Sequence, residues 1–171
     1  MQTSLVISIL GPDKSGLVKS LSETLNHFKG NWTESRMSHL AGMFAGLLLV
    51  SIPSDQVNEL TSALEALQSD GLQIRVERSD QVKSNTNTTI LSLDLLGQDR
   101  PGIIQDITEQ LAHLNVNIEE LESQIKEASM SGGVLFYAQL KLGLPEGISP
   151  EAVQDALESM SDQFMVDINF S

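Results

Sequence analysis

Cysteine is absent from the 171 residues, and its absence excludes disulfide scaffolds, thiol catalysis and thiolate metal sites together. Positive charge is scarce: ten Lys and Arg stand against 23 Asp and Glu, a formal charge of −13. Grip on a phosphate backbone comes largely from cationic neutralisation, so direct nucleic-acid binding is not expected. Aromatic residues are 4% of the chain, too few and too scattered to stack bases. Long apolar runs are missing too. The run at residues 47–50 is far short of the roughly 20 residues a membrane helix requires. Met1 leads straight into a strand-like pattern, without the basic and apolar segments of a signal peptide. These absences lead to the expectation of a soluble, cytoplasmic protein that contacts no membrane.

What is present is enough to fold. Forty per cent of the residues are hydrophobic and 19% charged, a balance that buries a core and rules out disorder for most of the chain. The chain also repeats itself. Gly11-Pro12-Asp13-Lys14-Ser15-Gly16 recurs as Gly97-Gln98-Asp99-Arg100-Pro101-Gly102, and Asn31-Trp32 recurs as Asn117-Ile118 at the same spacing. After a six-residue insertion, Met43-Phe44 aligns with Leu135-Phe136 and Pro53 with Pro145. A repeat this long holds several secondary elements, so it is a duplicated domain and not a solenoid unit. Residues 79–89, SDQVKSNTNTT, are polar and suit a solvated joint. The expected organisation is a first domain at 1–79, a linker at 80–88 and a second domain at 89–171. Charge divides unevenly: −2 over residues 1–85 and −11 over 86–171.

Periodicity gives the same element order in each copy. Leu5, Ile7 and Ile9 alternate with Val6, Ser8 and Leu10, which reads as a strand with both faces largely buried. Leu17, Val18, Leu21, Leu25 and Phe28 follow a helical stripe, which Gly30-Asn31 is expected to end with a left-handed glycine. Strands are expected at 32–39 and 43–52, the second apolar enough to be central in a sheet. Ser54 or Asp55 is placed to cap the next helix, whose stripe is Val57, Leu60, Leu64 and Leu67. A strand through Leu72, Ile74 and Val76 closes the copy. In the second copy the strands fall at 90–96, 117–125 and 134–142 and through Phe164, Val166, Ile168 and Phe170. Ile103, Ile107 and Leu111 mark one helix, and Val153, Leu157 and Met160 the other. The βαββαβ order with one-faced helices predicts an α+β, ferredoxin-like unit, helices on one face of an antiparallel sheet. Such a unit leaves sheet edges and one face open. The two copies are therefore expected to satisfy each other as a pseudo-dimer, with a further homodimer as the next expectation.

The repeated G-x-D-x-x-G loop lies between the first strand and first helix of each copy. Its first glycine suits a special turn and its second a close backbone approach. A helix N-terminus behind it is an anion site, which takes a carboxylate as well as a phosphate. Asp13 and Asp99 place a negative acceptor beside it, a pairing that suits a zwitterion such as an amino acid. Asn31 and Asn117 open the second strands, expected near the start of the first helices, where their amides donate to a carboxylate or accept from an ammonium. The plainer alternative is that the aspartates only cap their helices, worth about 1 kcal/mol each.

Asp13-Lys14-Ser15-Gly16-Leu17-Val18 with Gly30-Asn31-Trp32, and Asp99-Arg100-Pro101-Gly102-Ile103-Ile104 with Val116-Asn117-Ile118, resemble the ACT domain. The likeness covers nearly the whole chain in two tandem copies, and a pair of this length is similar to the glycine cleavage system transcriptional repressor group. The resemblance implies ferredoxin-like regulatory modules that pair side by side and bind small amino acids of the glycine or serine class at the pair interface. Carried onto this chain, the ligand-binding positions are Gly11, Asp13 and Asn31, and Gly97, Asp99 and Asn117. It further implies a protein that acts on a regulatory protein partner and not on DNA, with no cofactor. The alternative is a ligand-free interaction module. Ser15 stands where Pro101 stands in the second copy, and residues 128–133 are an insertion with an exposed hairpin tip.

No catalytic or metal-binding set emerges. His27, His39 and His113 lack metal-ligand spacing, and His27 and His113 fall near helix ends that favour a cation. Glu119, Glu120 and Glu122 share a strand, where a solvated edge is the ordinary role. G-x-S-x-G is missing, and the glycine loop lacks the spacing of a nucleotide site. No enzyme is expected.

Overall fold

A computed structural model describes residues 1–79, 88–127, 133–160 and 165–169. The expected linker, apart from Thr88, and the hairpin tip at 129–133, apart from Gly133, fall outside the described residues, as do Phe164 and Phe170. The chain divides into two compact units, Met1–Ser84 and Asn85–Ser171.

The first unit runs β1 (Gln2–Pro12), α1 (Leu17–His27), β2 (Asn31–Leu40), β3 (Met43–Pro53), α2 (Val57–Ala66) and β4 (Gln73–Arg78). The second runs β5 (Thr89–Gln98), α3 (Ile103–His113), β6 (Asn117–Glu127), β7 (Val134–Leu144), α4 (Pro150–Glu158) and β8 (Met165–Asn169). The sheet orders are β2-β3-β1-β4 and β6-β7-β5-β8, with antiparallel neighbours throughout. Each unit is thus the ferredoxin-like βαββαβ arrangement. β3 lies inside its sheet, as its apolar composition requires.

Each unit has its own core. Leu5, Ile7 and Ile9 of β1 meet Leu48, Val50 and Ile52 of β3 and Leu21, Leu25, Leu60 and Leu64 of the helices, all buried. The second core repeats this with Leu91, Leu93 and Leu95, Leu140 and Leu142, Ile107 and Leu111, and Val153 and Leu157. Each such side chain contributes about 1.5–3 kcal/mol on leaving water. Burial is one-sided. Val6 and Ser8 are half-buried and Leu10 is 40% exposed, so β1 does not bury both faces. The sheet has helices on one side only, and its alternate residues stand on the other.

Helix ends also differ from the sequence reading. The left-handed residue after α1 is Lys29, φ 58°, and its counterpart after α3 is Asn115, φ 56°. Gly30 serves by its size: a Cβ there would meet the Leu25 carbonyl oxygen at 3.1 Å and Val50 Cγ1 at 3.3 Å. Ser54 and Asp55 do not cap α2. They form a one-turn 3-10 segment ahead of it, and Gln56 is the N-cap without a side-chain bond. Ser54 Oγ instead donates to the Met1 carbonyl at 3.0 Å. α4 ends at Glu158, so Met160 packs on the core from beyond the helix.

Candidate functional site

The loop between β1 and α1 is pinned at both ends. The Asp13 amide donates to the Gly42 carbonyl at 3.0 Å. Gly42 belongs to the two-residue turn of the β2–β3 hairpin, where Ala41 (φ 50°) and Gly42 (φ 80°) both have positive φ, as a type I′ hairpin turn demands. Downstream, Gly16 (φ 89°) is the N-cap of α1 and its carbonyl accepts from Ser20 N at 2.9 Å. The second unit copies this: Asp99 N donates to Val134 O at 2.9 Å, Gly102 (φ 83°) caps α3, and Asp106 N donates to Gly102 O at 3.0 Å.

The two glycines of the motif exchange the roles assigned from sequence. Gly16 and Gly102 supply the left-handed conformation, which other residues reach only at a cost. Gly11 permits the close approach: a Cβ on it would lie 2.9 Å from Leu72 Cδ2 and 3.0 Å from the Gly71 carbonyl oxygen. Gly11 and Gly97 are both buried.

Asp13 and Asp99 are exposed, and neither α1 nor α3 has a side-chain cap bond. The capping alternative therefore does not describe them. Asp13 Oδ2 lies 3.7 Å from His39 Nε2, with both side chains about half exposed. Along the sequence His39 shows only that it lacks metal-ligand spacing. The pairing of His39 with Phe44 across the hairpin carries it to the loop, and one-dimensional periodicity holds no signal for that meeting. Two hollows flank the loop. One of about 310 Å³ is lined by residues 13–19 and Phe44. The other, about 240 Å³, is lined by residues 14–17, Ser20, Leu67 and Leu72. Both lie at or below the low end of drug-sized pockets. In the second unit Arg100 folds back onto its own helix and pairs with Asp106.

Asn31 and Asn117 are not near the loops of their own units, contrary to the sequence reading. Asn31 sits opposite Ser51, which sits opposite Ser4 at the start of β1. Asn117 sits opposite Gly143, which sits opposite Ile90. Seven residues of strand separate Ser4 from Gly11, and Ile90 from Gly97, about 23 Å at strand rise. The reason is the direction of α1 and α3, which return along the sheet and deliver the next strand at the far end. Asn117 there donates to Glu119 Oε1 at 2.7 Å. Gly143 makes room for this pair, because a Cβ on it would lie 2.9 Å from that oxygen.

The outer face of the second sheet carries a different cluster. Lys141 Nζ pairs with Glu120 at 3.0 Å, and Tyr137 Oη donates to Asp94 Oδ1 at 3.0 Å. Lys126 Nζ lies 3.8 Å from the centre of the Tyr137 ring. Partial desolvation, then the bond to Asp94 and its charge, raise the Tyr137 hydroxyl above its ordinary pKa. A hollow of about 290 Å³ opens there, lined by Asp94, Glu120, Glu122 and Lys141 among others. Among the described residues no three His, Asp or Glu side chains gather as a metal site would require, and no helix is long and apolar enough to cross a membrane.

A family model for the ACT domain matches residues 3–77 and 89–171. No curated protein matches the chain. Among solved structures, one described only as an unknown protein from Galdieria sulphuraria is 30% identical, with TM-score 0.85 and 98% of each chain covered. A candidate glycine cleavage system transcriptional repressor is 18% identical, with TM-score 0.73, covering 100% of this chain and 99% of its own. At that identity the likeness is one of fold. The chain belongs to the ACT-domain family, as two copies of the domain in tandem.

Proposed function

We propose that this protein is a non-catalytic sensor that binds a small amino acid at the β1–α1 loop and modulates a regulatory protein partner. The observation that carries the reading is Asp13, exposed beside the first turn of α1 yet not used to cap it. The helix start favours the carboxylate of a zwitterion, and Asp13 favours its ammonium. The hollow of about 310 Å³ between loop and hairpin suits a ligand of the glycine or serine class. Since Asn31 lies about 23 Å along the sheet from Gly11, a ligand that engages both a loop and an asparagine takes the asparagine from another copy of the domain.

The partner proposed is a transcriptional regulator of glycine metabolism. The support is full-length likeness to a candidate glycine cleavage system transcriptional repressor and a charge of −13, which disfavours DNA as the direct target. Titration calorimetry with the twenty amino acids tests the ligand. Heat with glycine or a near relative, with weaker affinity in Asp13→Asn, is the expected result. Silence across the panel with folded protein overturns the reading.

A further inference from the structure

The centre of the outer face is apolar in the first sheet and polar in the second, which exposes Ile90 and Met165 toward its margins. Four large hydrophobic side chains left exposed in the first unit share it: Leu10 at 40%, Leu40 at 79%, Met43 at 41% and Leu47 at 53%. Register places them together, since Leu40 opposes Met43, and Leu47 lies two residues from both Ala45, opposite Leu10, and Leu49, opposite Val6. The fold does not require this. At the positions corresponding to Leu40, Leu47 and Leu49, the second unit carries Lys126, Gln139 and Lys141, on strands with the same pairing. The second unit is thus an internal control for the centre of the face: with the same strand order it carries polar side chains there, while Leu96 and Leu135 stand where the first unit has Leu10 and Met43. A contiguous apolar patch that folding does not need marks an interaction surface.

The charges flanking the patch identify what fits it. Glu34 and Glu77 stand at the two ends of the row that crosses Leu49 and Val6, and Arg36 and Arg75 at the two ends of the next row, through Leu47 and Ser8. Within the unit the neighbours pair, Arg36 with Glu34 at 2.6 Å and Arg75 with Glu77 at 2.9 Å. A two-fold axis lying in the face, across the strands and between these two rows, exchanges them. It lays Glu34 over Arg36 of the second copy and Glu77 over Arg75, and stacks Leu47 on Leu49. An acidic partner would leave Glu34 and Glu77 facing like charge. The pattern is self-complementary, which is the requirement of a two-fold interface.

We infer that two copies of this chain associate through the outer faces of their first sheets, sheet on sheet with the strands nearly aligned. This holds with or without a bound amino acid.

Sedimentation velocity of the full chain, without amino acids, tests it. The expected particle has twice the 18.6 kDa chain mass. Leu47→Glu reduces it to the monomer, and Gln139→Glu, the corresponding change in the second unit, leaves it dimeric. Leu40→Lys, which copies the second unit, also yields the monomer and serves if Leu47→Glu does not fold. Glu34→Arg sets like charges face to face and weakens association at least about tenfold. Combining it with Arg36→Glu restores the dimer, because the swapped rows still match. A monomeric wild type, a dimer indifferent to Leu47→Glu and Leu40→Lys, or a charge swap that fails to restore association overturns the inference.

Discussion

Asp13 Oδ2 lies 3.7 Å from Nε2 of His39, although one stands on a loop after β1 and the other near the end of β2. The hairpin turn at Ala41-Gly42 brings them together, and the bond from Asp13 N to Gly42 O holds the loop on that turn. An acidic side chain that lines the hollow beside α1 thereby has an imidazole next to it.

That geometry separates ligand binding from stability. Asp13→Asn keeps shape and removes charge, so amino-acid affinity is expected to fall about tenfold to a hundredfold, the range of a hydrogen bond to a charged group. Thermal unfolding is expected to move little, since exposed substitutions stay within about 0.5 kcal/mol. His39→Ala is expected to change affinity in the same assay. Calorimetry beside a melting curve reads both, and a large loss of stability in Asp13→Asn would show the aspartate to be a structural residue.

The glycines of the motif are expected to respond differently to substitution. At Gly16 a Cβ meets no atom within 4 Å, so Gly16→Ala costs only backbone strain, about 1–2 kcal/mol, and Gly16→Asn costs less because Asn tolerates the left-handed region. At Gly11 the obstacle is the Gly71 carbonyl and Leu72. Gly11→Ala is expected to cost about 1–3 kcal/mol, typical of overpacking, and Gly11→Asn more. Urea unfolding of the four variants gives the ranking, and Asn better than Ala at Gly11 would contradict the packing argument.

Tyr137 is the one tyrosine of the chain, so its ionisation is readable by ultraviolet absorbance without interference from another phenol. Desolvation and Asp94 hold the proton on, so the midpoint is expected above the ordinary 10.0. A folded-state pKa raised in this way contributes stability that is present below the unfolded value and lost as pH rises through the folded one. Asp94→Asn is expected to lower the midpoint. A wild-type midpoint at or under 10.0 would refute the arrangement.

Of the four α-helices described, one, α4, has a side-chain N-cap. Ser149 Oγ accepts from Ala152 N at 3.2 Å, with Pro150 in the first turn of α4. Ser149→Ala is expected to cost about 0.5–2 kcal/mol, whereas Ser54→Ala removes no cap from α2. Comparison of the two unfolding midpoints distinguishes a cap from a loop hydroxyl.

Much of this was legible in one dimension, and the limits are physical. Alternation at Leu5, Ile7 and Ile9 and the stripe Leu21–Leu25 report which residues share a face, because strand and helix periods are local. The same alternation overstated the burial of Val6, Ser8 and Leu10, since apolar character does not say which sheet face receives helices. Asn31 stands at the opposite end of its unit from the one its spacing suggests, because spacing along the chain does not give the direction in which α1 returns. The meeting of His39 with Asp13 has no signal along the chain because it is made across a hairpin.

The amino-acid sequence alone therefore determined the duplication, the βαββαβ order, the two cores and the loop around Asp13 and Asp99, all of which rest on local period and on repetition. The tertiary structure decided which ends meet: Asp13 with His39, Asn31 far from both, and Leu10, Leu40, Met43 and Leu47 on one open face. Those relationships follow from the strand order β2-β3-β1-β4, and that order is set by long-range pairing, which no local pattern of residues encodes.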